Sequence, residues 1–144
     1  MEESLLCERI RAFWDKAQER LKAAHLLYQE GFYEEAISTA YYAALWAARA
    51  LLLPEGAEPR THEGVRTLLG FYYIRTGRMP HEMGKIFNQR LDERMRADYS
   101  ADTYLDAEDV ERALQEAEQF LQAAQAILRE GGYLGDGAST GGEG

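Results

Sequence analysis

Apolar residues recur at intervals of three and four along nearly the whole chain, and β-branched residues are sparse. That spacing fills one face of an α-helix and does not supply the alternation a half-buried strand needs, so the sequence predicts an all-α fold. A first helix is expected from about Ser4 to Glu30, with Ile10, Phe13, Ala17, Leu21, Ala24 and Tyr28 in a stripe. Gly31 suits the left-handed residue that closes it. A second helix begins near Tyr33, carries Ala36, Ile37, Ala40, Tyr41, Ala44, Ala47, Ala48 and Leu51 inward, and ends before Pro54, whose missing N–H stops the ladder. The short link at Gly31 makes these two an antiparallel hairpin.

Pro54 to Arg60 reads as a loop. Thr61 is an expected N-cap for a third helix carrying Val65, Leu68, Leu69 and Tyr72 and stopping at Gly77. Pro80 fits the first turn of a fourth, whose inner line is Met83, Ile86, Phe87, Arg90 or Leu91, and then Arg94. After a break around Ser100 to Leu105, Asp106 and Asp109 form a capping arrangement for a fifth helix with Val110, Ala113, Leu114, Ala117, Phe120, Leu121, Ala124, Ile127 and Leu128 inward. The predicted architecture is an up-and-down helical bundle of four to five helices over residues 1–130. Seven glycines in residues 131–144 carry too little apolar surface to repay ordering, which predicts a flexible tail.

The 144 residues suit one core. Apolar runs are interrupted by Arg, Glu or Pro, so no membrane span is expected, and Glu2 and Glu3 after Met1 are unlike a secretory signal. A lone cysteine, Cys7, suits a reducing cytoplasm. Three histidines on different predicted elements and one cysteine provide no metal-ligand pair, and the glycines lack the Lys-Ser or Lys-Thr of a phosphate loop, so neither a metal nor a cofactor is expected. The net charge of −9 opposes broad attraction to nucleic acid. Between Arg60 and Asp98, however, eight basic residues face five acidic ones, an anion-friendly segment in an acidic body.

Within that segment Arg94 and Asp98 are four residues apart and share a helical face. Such a pair either closes a helix end as an ion pair or forms an anion site, with Arg94 offering forked donors to phosphate oxygens, Asp98 orienting it and the Tyr99 phenol beside it. Tyr41 and Tyr42 point about 100° apart, so one belongs to the core and the other to a cleft or interface. Ser38, one turn before Tyr42, extends a polar cluster, and His62 at the start of the third helix either packs at that entrance or lines the same groove.

Taken together, Ser38, Tyr41-Tyr42-Ala43-Ala44, Leu45-Trp46-Ala47-Ala48-Arg49-Ala50-Leu51, Thr61-His62-Glu63-Gly64-Val65 and Arg94-x-x-Ala97-Asp98-Tyr99 resemble the HEPN superfamily, specifically its small UPF0332 branch, from roughly Gly31 to Leu128. The resemblance implies a bundle that is usually homodimeric and often produced beside a minimal nucleotidyltransferase in a two-component system of toxin–antitoxin character. Many members are similar to metal-independent ribonucleases with an Arg followed four to six residues later by a His. Imidazole chemistry suits moving the 2′-hydroxyl and 5′-oxygen protons while arginine stabilises the phosphate.

This chain departs from that pattern. No histidine follows Arg94, and Asp98 is a weak base at neutral pH. Literal matches to the spacing occur instead at Arg20 to His25 and Arg75 to His81. In some such pairs the nucleotidyltransferase transfers AMP to a tyrosine near the motif, which points to Tyr99. The leading expectation is a non-catalytic or weakly catalytic partner subunit whose groove, framed by Ser38, Tyr42, His62, Arg94, Asp98 and Tyr99, binds a nucleotide or RNA phosphate. The alternatives are a ribonuclease toxin with a degenerate motif, Arg94 and Asp98 being its catalytic residues, and a structural oligomerisation module.

Overall fold

The structure, a computed structural model, describes residues 2–99 and 105–135. The side chains of residues 2, 3, 91 and 93–99 lie outside that description, as do residues 136–144 of the predicted tail. Five α-helices follow one another: α1 Glu2–Gln29, α2 Tyr33–Leu52, α3 His62–Leu69, α4 His81–Tyr99 and α5 Ala107–Glu130. A 3-10 turn, Leu53–Glu55, extends α2, and a π-helical turn, Gly70–Ile74, extends α3. No strand occurs among the described residues.

The ends of these helices follow local chemistry. Gly31 adopts φ +86°, its N–H reaches Tyr28 O at 3.0 Å, and Phe32 N reaches Leu27 O at 2.9 Å, so the last carbonyls of α1 are satisfied in a Schellman turn. The chain reverses there at once and α2 packs back along α1. Thr61 Oγ1 accepts from Gly64 N at 2.9 Å to start α3. At α5, Asp106 accepts from Asp109 N at 2.9 Å while Asp109 accepts from Asp106 N at 3.2 Å, a reciprocal capping box. Gly132, at φ +81°, closes α5, and Tyr133 and Leu134 just beyond it pack on the core.

Helix α2 is central and touches all four others. Its alanines at 36, 40, 43, 44, 47, 48 and 50 are fully buried, so neighbouring backbones approach closely, while Ile37, Tyr41, Leu45, Leu51 and Leu52 supply bulk. This explains why Tyr33–Glu55 is long and apolar enough to cross a membrane by length and composition although 72% of its most apolar window is buried inside the bundle. Phe87 of α4 and Phe120 of α5 meet beneath it, centroids 5.5 Å apart, each burial contributing about 1.5–3 kcal/mol.

Two inner positions differ from the expected stripes. Trp14 is buried where Phe13 is half-buried against the edge of Trp46. After α3, Tyr73 is buried and Tyr72 half-buried, because the π turn adds a residue and advances the inward face by one position. The Tyr73 hydroxyl donates to Leu51 O and lies 3.0 Å from Glu55, which also pairs with Arg78 at 3.0 Å. The end of α2 is thereby clamped to the turn before α4.

Candidate functional site

The inner line of α4 begins as apolar packing and turns polar. Ile86 and Phe87 are buried, and one turn later Arg90 is buried to 1% exposure. Its Nη2 lies 2.8 Å from Glu116 Oε1 of α5. The pairs 87 with 120 and 90 with 116 show that α4 and α5 run antiparallel, and the ion pair fixes the rotation of α4 at this level. Burying two charges costs several kcal/mol of desolvation, offset only while both stay paired. The helix then continues without a break to Tyr99, so residues 94 and 98 stand one turn apart on one element. The side chains of Arg94, Asp98 and Tyr99 fall outside the described ones.

On the facing side α2 and the start of α3 bring aromatic rings together. Tyr41 is fully buried and Tyr42 half-buried, the division expected of adjacent helical positions. The half-buried His62 ring, at the first residue of α3, lies 5.5 Å from Tyr41 and 6.0 Å edge-on from Tyr42, centroid to centroid. Tyr41 in turn contacts Phe87 at 5.9 Å. His62, Tyr42, Tyr41 and Phe87 thus form a continuous path of rings from α3 through α2 to α4, ending one turn before Arg90. Ser38 is half-buried one turn before Tyr42 on α2.

Of the residues singled out from sequence, the structure therefore brings Tyr42 and His62 into contact and puts Arg94, Asp98 and Tyr99 on one helix. Glu116 was missed. The signal available was an acid at the edge of the α5 stripe, between the buried Ala113 and Ala117, and only the fold reveals that it meets a buried arginine. The two literal Arg-to-His spacings separate. His25 is tied to Glu118 of α5 at 2.9 Å, whereas Arg75 and His81 line one cavity between the π turn and α4. A wider concavity of about 560 Å³ opens between α1 and α5. It is floored by Trp14, Leu21 and Leu121 and rimmed by glutamines, and none of the residues singled out for phosphate binding lines it. Its charged lining is Lys22, His25 and Glu118, the last paired with His25.

The arrangement defines a class first: a small all-α bundle with antiparallel α1 and α2 packed on α4 and α5. The crystal structure of TT1696 from Thermus thermophilus has this fold, superposing with a TM-score of 0.71 at 20% identity over 83% of this chain and 98% of that one. The HEPN domain model matches residues 10–128, and the chain belongs to that family. Among its relatives, MJ0605 of Methanocaldococcus jannaschii, described as a candidate toxin, is 34% identical over 123 residues, 85% of this chain and 91% of the relative. A UPF0332 protein of Thermotoga maritima is 30% identical over 124 residues, 85% and 94% of the two chains.

Proposed function

We propose that this chain is the HEPN subunit of a two-component, toxin–antitoxin type system. A minimal nucleotidyltransferase is its partner, and it binds a nucleotide or RNA phosphate in a groove around Arg94 framed by Ser38, Tyr42, His62, Asp98 and Tyr99. The observation that carries this reading is the unbroken course of α4 through residue 99, beyond a turn whose arginine is already drawn into the bundle by Glu116. One turn on, a guanidinium held by such a helix presents forked donors suited to phosphate, and a carboxylate a further turn away keeps it oriented. The toxin description of the M. jannaschii relative supports a system of that kind. The proposed assembly is a cytoplasmic homodimer that the partner regulates, with Tyr99 as the modified residue.

Co-purification of a tagged copy from its native cells, followed by mass measurement, tests the partnership. A nucleotidyltransferase in the eluate and an AMP increment on Tyr99 are expected; a clean homodimer without increment contradicts it. Incubation with RNA beside Arg94→Ala separates binding from catalysis. The reading predicts no cleavage by either protein, and cleavage lost in the variant would establish the ribonuclease alternative instead.

A further inference from the structure

A second place in the molecule gathers positive charge, away from Arg94. Where α3 and its π turn meet the first turns of α4, Arg66, Arg75, His81 and Lys85 line one cavity together with Asn88, and among the described residues no carboxylate lines it. Arg66 is engaged from outside the lining by Glu63 at 3.8 Å and Asp92 at 3.3 Å. Arg75 and Lys85 have no carboxylate within ion-pair distance among the described residues, although acids outnumber Lys and Arg by 25 to 16 in the chain. The Arg75 guanidinium rests 5.6 Å over the Phe71 ring, which restrains its stem without neutralising it.

The backbone at this place is specialised for bringing these groups together. In an unbroken α-helix, nine residues turn Arg75 to roughly the opposite face from Arg66, at about 100° per residue. The π turn Gly70–Ile74 adds one residue to the winding and swings Arg75 back by about 100°. On the other wall Gly84 lets α4 come close: a Cβ there would stand 3.3 Å from Ile74. His81 and Lys85 then rise on consecutive turns of α4, and His81 is the first residue of that helix, whose positive end adds to the field.

We infer that this cavity is an anion site for a phosphoryl group. The forked Arg75 guanidinium, the Lys85 ammonium, the His81 imidazole and the N–H donors that Arg66 keeps beyond Asp92 and Glu63 match the oxygens and double negative charge of a phosphate better than the single charge of a carboxylate. The volume, about 180 Å³, is below the roughly 300–1,000 Å³ that encloses a drug-sized ligand, so the site holds the phosphate and leaves the rest of its carrier outside. Lys85 and Arg94 are nine residues apart on α4, about 13 Å along the axis, so this site is separate from the one proposed above and stands without it.

Titration of the isotope-labelled chain with sodium phosphate, AMP and a short oligoribonucleotide, against sodium chloride at matched ionic strength, tests the assignment by NMR. Saturable shifts are expected at residues 66, 75, 81 and 85, retained in Arg94→Ala and weakened at least about tenfold in Arg75→Glu/Lys85→Glu. Both substituted positions are exposed, and circular dichroism of the double variant checks that its helices persist. Tighter binding of AMP assigns a free phosphomonoester, and tighter binding of the oligoribonucleotide assigns a polymer phosphate; either supports the site. Shifts no larger than those with chloride, or equal binding by the folded double variant, overturn it.

Discussion

Arg90 is the residue on which the polar half of α4 depends. It is buried to 1% exposure against a partner, Glu116, whose side chain keeps 21% exposure, so truncating the arginine leaves an uncompensated, mostly buried carboxylate. Arg90→Ala is expected to lower unfolding free energy by about 3–5 kcal/mol, whereas Arg90→Met with Glu116→Leu recovers most of that loss, because a hydrophobic pair carries no desolvation cost; urea denaturation measures both. Tyr73 gives a second prediction. Burial, and then the nearby Glu55 carboxylate, hold its phenol well above the usual tyrosine pKa. The folded state therefore keeps a proton that the unfolded chain releases near pH 10, and the stabilisation, fully present below that pH, declines as pH rises toward the folded value. Urea midpoints from about pH 8 to about pH 11 should fall more steeply for the native chain than for Tyr73→Phe. Tyr28, raised to about 12 chiefly by its hydrogen bond to Glu111, should ionise late in a spectrophotometric titration. At this scale the spacing from Met83 and Phe87 leaves Arg90 and Leu91 both open as the inward residue, and the structure buries Arg90; Glu116 is not legible, because a charge at the edge of a stripe reveals nothing about the neighbour that will cover it.

Element boundaries were the most legible features, since a cap or a left-handed glycine acts within a few residues. Thr61, Asp106 with Asp109, and Gly31 do what their types and positions predicted. Thr61→Ala and Asp106→Ala are each expected to cost about 1 kcal/mol, read as lowered urea midpoints with unchanged slope. The π turn was not legible. Stripe counting assumes 3.6 residues per turn, and a widened turn depends on how α3 meets α4, a contact distant in sequence; Tyr72 was therefore expected where Tyr73 is buried. Trp14 was displaced in favour of Phe13 for a similar reason: the stripe identifies a face, while Trp46 on α2 decides which ring sits at its edge.

For the molecule as a whole, a bundle built on an alanine-rich central helix followed directly from the period and from the two proline- and glycine-marked breaks, and the family membership agrees with it. The site was only partly visible. Tyr42 and His62, twenty residues apart, come into contact because the chain turns at Pro54 and again at Thr61, while the Arg66, Arg75, His81 and Lys85 cavity required a backbone irregularity that no sequence spacing announces. That the cation at position 94 receives a phosphate is tested most directly by calorimetric titration with AMP in the Arg75→Glu/Lys85→Glu background, which removes the second anion site, comparing native Arg94 with folded Arg94→Ala and Arg94→Lys. A charge-assisted forked contact is worth about 1.5–3 kcal/mol, so affinity should fall roughly tenfold or more in the alanine variant and less in the lysine variant. Equal affinity in all three proteins would contradict the claim.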